Sequence, residues 1–232
     1  WLDHNVAPNR LPGYAIVNIS LKVTGIAPGD ATDRQMDYIA DLADQHSAGE
    51  LRVTHEQNLV LPYVPQTSLF SLWQSLDAQA LASPTIGTLN DIICCPGGDF
   101  CSLANAKSIP IAEAIQRRFS DLDYLYDLGE IDLNISGCMN ACGHHHVGHI
   151  GILGVDKKGE EWFQISLGGH AGRGASLGEI VGPSFSRAEV PDVIERILDV
   201  YVAQRRPRES FLECYRRIGI APFKADVYAD AA

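Results

Sequence analysis

Five of the chain's six cysteines fall in two short stretches. CCPGGDFC at 94–101 carries Cys94, Cys95 and Cys101, and GCMNACG at 137–143 carries Cys138 and Cys142. Both stretches end strand-like segments and both are rich in glycine, which lets backbone fold close around a bound group. Clustered cysteine in a chain without a secretion signal reads as metal or redox chemistry, not as disulfide stapling. Four thiolates from two loops suit one [4Fe–4S] cluster. Zinc is the rival, but its sites draw on cysteine pairs two to four residues apart, and a five-residue gap beside a three-residue gap fits it poorly. Any one of these cysteines alone would read as a buried apolar residue. Cys214 does so, because it shares a helical face with Phe211, Tyr215 and Ile218.

Four histidines, His144, His145, His146 and His149, follow Cys142 directly. Imidazole is a common ligand, yet consecutive side chains point in different directions and cannot all face one ion. They are expected as polar neighbours of the cluster or as an exposed loop that takes up copper or nickel adventitiously. A Cys142–His144 nucleophilic dyad is disfavoured, because sequence neighbours rarely adopt that geometry. Trp73 and Trp162 are expected in the core.

The elements that must position these residues can be read from periodicity. YAIVNISLKV (14–23) alternates and predicts a strand with one buried face. Thr32 to Gln35 has the form of a capping box, and Met36, Ile39, Ala40 and Ala43 follow at helical spacing. Two short strands flank the turn His55-Glu56-Gln57, and Leu69, Leu72, Trp73 and Leu76 mark a second helix. After a boundary at SPTIGTLN (83–90), a helix is expected over 102–119, with Pro110 either interrupting it or standing in its first turn. IDLNIS (131–136) reads as a strand leading into the second cysteine group. GHIGILGV and WFQISLGG form a hairpin about Asp156–Gly159. Residues 171–185 form a glycine-rich loop without phosphate-loop spacing. A strong helical stripe runs from Val190 to Val202, and a last helix about Phe211 ends at Gly219 and Pro222. The fold class is α+β. The chain starts WLDHNVAPNR without Met, and residues 1–9 read as a linker in a piece of a longer polypeptide. The domains are 10–82 and 83–232.

At 232 residues the chain can bury a sizeable core. No apolar run approaches the ~20 residues of a membrane span. A net charge of −11 argues against a nucleic-acid surface. The expectation is a cytoplasmic protein with no nucleic-acid or membrane partner.

CPGGDFC and SGCMNACG together resemble the cluster signature of siroheme-dependent nitrite and sulfite reductases. So do GYAIVNISLKVTGIAPGDATDRQ, RVTHEQNLVL and the LGG at 167–169. The resemblance is nearest to bacterial assimilatory sulfite reductase hemoproteins of the beta type, and covers only their C-terminal half. It implies a ferredoxin-like half-domain followed by a mixed α/β domain that binds siroheme and a [4Fe–4S] cluster. It implies that Cys95, Cys101, Cys138 and Cys142 are the cluster ligands, with Cys142 also bridging to the siroheme iron and Cys94 a spare. Asn140 would lie against siroheme. The loop Thr54, His55, Glu56, Gln57 and Asn58 would approach the macrocycle, with His55, Gln57 and Asn58 as cofactor-binding residues. The implied reaction is six-electron reduction of sulfite to sulfide, with nitrite to ammonia as the alternative. The electron donor would be ferredoxin or a flavoprotein, and the N-terminal half of the same polypeptide would complete the site.

The chain departs from a whole enzyme in one respect. Siroheme carboxylates and anionic substrates need Arg and Lys, yet residues 131–170 offer only Lys157 and Lys158. The chain alone is therefore expected to bind neither substrate nor siroheme tightly, and to be inactive by itself. Readings from other classes are a cluster-only electron-transfer protein and a structural zinc protein.

Overall fold

The computed structural model describes residues 1–229. Backbone contacts divide the chain into two compact units, 1–86 and 87–232. The division falls four residues beyond the boundary expected from sequence.

The first unit is a four-stranded antiparallel sheet, ordered β1-β2-β4-β3, with two main helices. It comprises α1 (Leu2–Asn5), β1 (Val6–Pro8), β2 (Tyr14–Ile19), α2 (Asp33–His46), β3 (Arg52–Val53), β4 (Leu59–Pro65) and α3 (Leu69–Asp77). Strict alternation buries Ala15, Val17 and Ile19 of β2, and Val17 and Ile19 share a core with Ile39, Leu42 and Ala43 of α2 and Leu72 and Leu76 of α3. Thr32 and Gln35 form the expected capping box on α2. Met36 stands on the outer side of that helix, 42% exposed. The expected linker at 1–9 is instead ordered structure. Val6 pairs with Val17, and Asn5 is fully buried and donates to the carbonyls of Asn18 and Ser83. Satisfying the two N–H groups of that buried amide fixes the backbone there, which composition alone did not reveal.

The second unit has a six-stranded mixed sheet, ordered β10-β8-β7-β6-β5 with β9 also beside β8. Its elements are β5 (Ile93–Cys94), α4 (Ile109–Arg118), α5 (Leu122–Leu128), β6 (Leu133–Ser136), β7 (Ile150–Lys157), β8 (Glu160–Leu167), β9 (Glu179–Ile180), β10 (Phe185–Ser186), α6 (Val190–Gln204), α7 (Phe211–Ile218) and α8 (Ala221–Val227). Strands β5, β6 and β7 run parallel, and β7–β8 is the expected hairpin. Strand β6 is buried along its whole length, as parallel strands are. Val190, Val193, Ile194, Ile197, Leu198 and Tyr201 of α6 pack into the same core, which also encloses Cys214.

Two readings of proline resolve here. Pro110 stands in the first turn of α4, so residues 102–108 are loop rather than helix. Pro222 opens α8 instead of ending α7, which stops at Gly219. Trp162 is only half-buried, with the Lys157 ammonium 4.5 Å from its ring centroid. It is a platform for a cation, not a core residue.

Candidate functional site

Parallel pairing brings the two cysteine stretches together. Cys94 is the last residue of β5 and is paired with Ile135 of β6, so both loops leave the sheet at the carboxyl ends of adjacent parallel strands. That end is where open α/β sheets bind ligands. The Cys95 amide donates to the Ile135 carbonyl at 3.1 Å. A single helical turn at Gly97–Asp99 follows, and the Cys101 amide closes it on the Gly97 carbonyl at 2.9 Å. Beyond β6, the Gly137 carbonyl accepts from the amides of Asn105 and Ala106, which ties the second loop to the first.

The contact between these loops is backbone against backbone. A Cβ on Gly137 would lie 2.7 Å from the Ala106 carbonyl oxygen and 2.8 Å from the Gly97 Cα. One on Gly143 would lie 1.9 Å from the Ile135 oxygen. Of the neighbouring pair, Gly97 is the constrained one, because its Cβ would meet the Ser108 nitrogen at 2.4 Å. A Cβ on Gly98 would meet nothing nearer than the flexible Lys107 side chain at 3.3 Å, with the Ala106 backbone at an ordinary 3.5 Å.

The sulfurs differ in their surroundings. The Cys95 sulfur accepts the Gly137 N–H at 3.1 Å and has the Ser108 hydroxyl at 3.5 Å. Donors aimed at a sulfur stabilise thiolate or metal-bound sulfur. The Cys94 thiol instead points at the Cys95 carbonyl oxygen, 3.2 Å away, as a protonated S–H donor does. Cys138 is buried, Cys101 half-buried and Cys142 exposed. No three cysteine sulfurs among the described residues come within 4.8 Å of one another. A single zinc ion, with sulfurs at ~2.3 Å, needs them roughly 4 Å apart. These sulfurs do not stand at the spacing of a single tetrahedral zinc ion.

Asn140 is exposed at the tip of the Cys138–Cys142 turn, where Ala141 has φ of 57° and its amide donates to the Cys138 carbonyl. The loop 54–58 belongs to the first unit. The Thr54 hydroxyl accepts the amides of Glu56 and Asn58, both at 3.2 Å, which curls the loop and leaves His55 and Glu56 exposed. Asn58 does not face outward. It is 3% exposed and its side-chain oxygen accepts the Leu21 amide at 3.1 Å, so it anchors the loop. Sequence reasoning missed Lys22, only 2% exposed, whose ammonium donates to the Glu56 carbonyl at 2.5 Å. Its position within an alternating strand pattern gave no signal of that reach.

The histidines separate. His144, in the left-handed region, and His146 are exposed. His145 is half-buried, and burial together with His146 lowers its pKa to about 4. His149 turns away to meet two residues that local spacing could not associate with it, Asp132 and His170. One donor atom from each of the three lies within 4.8 Å of the others. The polarity of the hydrogen bonds decides what this trio is. The Asp132 amide donates to His149 Nδ1 at 3.1 Å, so the ring proton of neutral His149 sits on Nε2, 3.5 Å from Asp132 Oδ2. A histidine that ligates a metal donates a proton from its other nitrogen. His149 accepts one there, so Nε2 has no lone pair to offer. Burial first, then His170 and Arg216, lower the His149 pKa to about 4 against the opposing pull of Glu130. The ring is neutral at pH 7.

Two cysteine-bearing loops that converge on one sheet end, in a chain whose preceding residues form a separate four-stranded sheet with two main helices, define a cluster-binding protein of two unlike domains. Residues 87–232 match the family described as the nitrite and sulphite reductase 4Fe-4S domain, and 18–79 match the nitrite/sulfite reductase ferredoxin-like half domain. The chain belongs to the nitrite and sulfite reductase family. A sulfite reductase (ferredoxin) of Mycobacterium tuberculosis strain H37Rv is 30% identical over 205 residues, covering 83% of this chain and 37% of that protein. The chloroplastic ferredoxin–nitrite reductase of Arabidopsis thaliana is 29% identical over 216 residues, covering 88% of this chain and 35% of that protein. The structure of the Mycobacterium tuberculosis NirA protein superposes with a TM-score of 0.76 at 28% identity, covering 95% of this chain and 41% of that one. A dissimilatory sulfite reductase shares the fold at a TM-score of 0.75 and 14% identity, over 93% of this chain and 69% of that one. The chain spans less than half the length of these curated relatives.

Proposed function

We propose that this chain is the cluster-bearing part of a siroheme and [4Fe–4S] reductase that carries sulfite to sulfide by six electrons, with nitrite to ammonia as the second reading. The observation that carries it is the convergence of two cysteine loops at one sheet end, with the Cys95 sulfur already receiving a backbone N–H. Cys95, Cys101, Cys138 and Cys142 are proposed to hold the cluster, and Cys142, the exposed one, to share its sulfur with the siroheme iron. When bound, the cofactors supply single-electron delivery and an iron centre that holds substrate until reduction is complete. The protein's own share is positional. Gly97 and Gly137 bring the loops into backbone contact, and the Gly137 amide and Ser108 hydroxyl place positive dipoles on one ligand sulfur. Asn140, His55 and Gln57 are proposed to line siroheme, while Asn58 and Lys22 hold the 54–58 loop in shape.

Relatives named for ferredoxin support ferredoxin as the donor. Six free thiols suit a reducing cytoplasm. No helix among the described residues is long and apolar enough to cross a membrane. The scarcity of basic residues between 131 and 170 supports a division of labour in which an N-terminal half supplies the anion-binding groups.

Anaerobic purification followed by iron, sulfide and zinc analysis and an absorption spectrum tests this reading. Iron and sulfide in equal amounts are expected. Zinc alone would sink it. Titration of the isolated chain with siroheme is expected to give weak binding, and tight stoichiometric uptake would overturn the proposed division of labour.

A further inference from the structure

Resting on the cluster reading above, we infer that Ser108 tunes the reduction potential of the cluster by donating its hydroxyl proton to the Cys95 sulfur. Ser108 occupies the N-cap of α4, where a serine ordinarily turns its oxygen onto a helix amide. Its side chain makes no such bond. The residue is fully buried, and its hydroxyl lies instead 3.5 Å from the Cys95 sulfur. Its backbone is at work in the helix, accepting the amides of Ile111 and Ala112 at 3.1 Å. The serine thus supplies the start of α4 with its carbonyl and gives its side chain to the cysteine loop.

The surrounding chain holds that hydroxyl in place. A Cβ on Gly97 would stand 2.5 Å from the Ser108 oxygen and one on Gly137 2.9 Å from it, so two glycines wall the space it occupies. Between two neutral side chains, either the thiol or the hydroxyl could donate. An iron-bound sulfur carries no proton, so in the loaded protein the hydroxyl must be the donor. The Gly137 amide donates to the same sulfur. Reduction adds negative charge that the cluster shares with its ligand sulfurs, so donors on a sulfur favour the reduced form and raise the potential. The amide belongs to the backbone and cannot be substituted away. Ser108 is the donor that a mutation can remove.

Ser108→Ala deletes one oxygen and leaves the packing of the two glycines intact. The expected result is iron and sulfide content equal to that of the unmodified chain. At a fixed poise, the ratio of reduced to oxidised cluster should fall by up to about tenfold, equal to a 59 mV negative shift for a one-electron couple. An unchanged potential in a fully loaded variant would overturn the inference. If the variant fails to load, the unmodified chain still tests the point. Its Fe–S(Cys) stretching bands should shift within minutes of dilution into D₂O, before protected amides exchange, and invariant bands over that interval would overturn it. Failure of the unmodified chain to take up iron and sulfide at all would instead overturn the cluster reading, and this inference with it.

Discussion

Strand β6 carries a set of ligand-type side chains at each end, and the two sets are opposites. At its N-terminal end Asp132 gathers His149 and His170 into a trio whose donor atoms lie within 4.8 Å of one another. At its C-terminal end the cysteine sulfurs are more widely spaced. By distance alone the trio looks the better metal site. Hydrogen-bond polarity reverses the ranking. The Asp132 amide occupies the lone pair of His149 Nδ1 and leaves a proton on Nε2, whereas the Gly137 amide points a positive hydrogen at a sulfur. Proximity of donors is therefore a poor guide until each atom's proton has been assigned.

The contrast breaks most directly by substitution. Cys138→Ser removes a buried proposed ligand, and iron and sulfide content should fall to a small fraction of that of the unmodified chain. Asp132→Asn or His170→Gln should leave both contents unchanged. Equal iron loss on both ends would erase the distinction. Next in size is Gly143→Ala. Its Cβ would stand 1.9 Å from the Ile135 oxygen, on the carbonyl of β6 itself. Backbone must move, and urea unfolding should register a loss of about 3 kcal/mol, the upper range for overpacking. A change below about 0.5 kcal/mol would mean that the second loop is not held by that close approach.

The opposite end of β6 answers to pH. His149 has its folded pKa lowered to about 4, chiefly by burial, from an ordinary 6.5. Below pH 6.5 the unfolded chain takes up a proton that the folded ring resists. Stability contributed by this ring is complete above pH 6.5 and declines as pH falls toward 4, by up to about 3 kcal/mol. His145, also lowered to about 4, adds a decline of the same sign. Unfolding free energies of the unmodified chain and of His149→Gln, measured from pH 7 to pH 4.5, should converge as pH falls. Parallel curves would show that the ring is not buried as a neutral group.

How much of this was legible in the sequence follows from what each signal depends on. The cysteine stretches announce themselves by residue type and spacing, and β2, α2, α3, the β7–β8 hairpin and α6 by periodicity, because each rests on neighbours in sequence. The parallel pairing of β5 with β6 joins residues some forty apart, and two residues of strand carry no periodic signal. The same limit hid the 1–9 segment, which is ordered by a buried Asn5 reaching Asn18 and Ser83. His170 lies 21 residues beyond His149 and meets it only because β7 and β8 form a hairpin. Ser108 fell inside the helix expected over 102–119, and nothing in the order of residues says that it caps α4 or that its hydroxyl forgoes the helix it caps.

Zinc provides the finest test of the comparison. If Nε2 of His149 keeps its proton, zinc added to the chain should shift Tm equally in the unmodified protein and in His149→Gln, to within about 1 °C. Any shift the two share would come from ligands that His149→Gln leaves in place, the exposed His144 and His146 and the free thiols among them. For zinc to bind at the trio, His149 would have to move its proton to Nδ1, where it would face the hydrogen of the Asp132 amide. The ring would have to turn or the amide swing away. Zinc-dependent stabilisation that vanishes in His149→Gln, together with a shifted Asp132 amide resonance, would reveal that rearrangement and make both ends of β6 metal sites. An Asp132 amide that stays put while zinc is added keeps the two ends distinct, one built to donate to sulfur and the other closed by a proton.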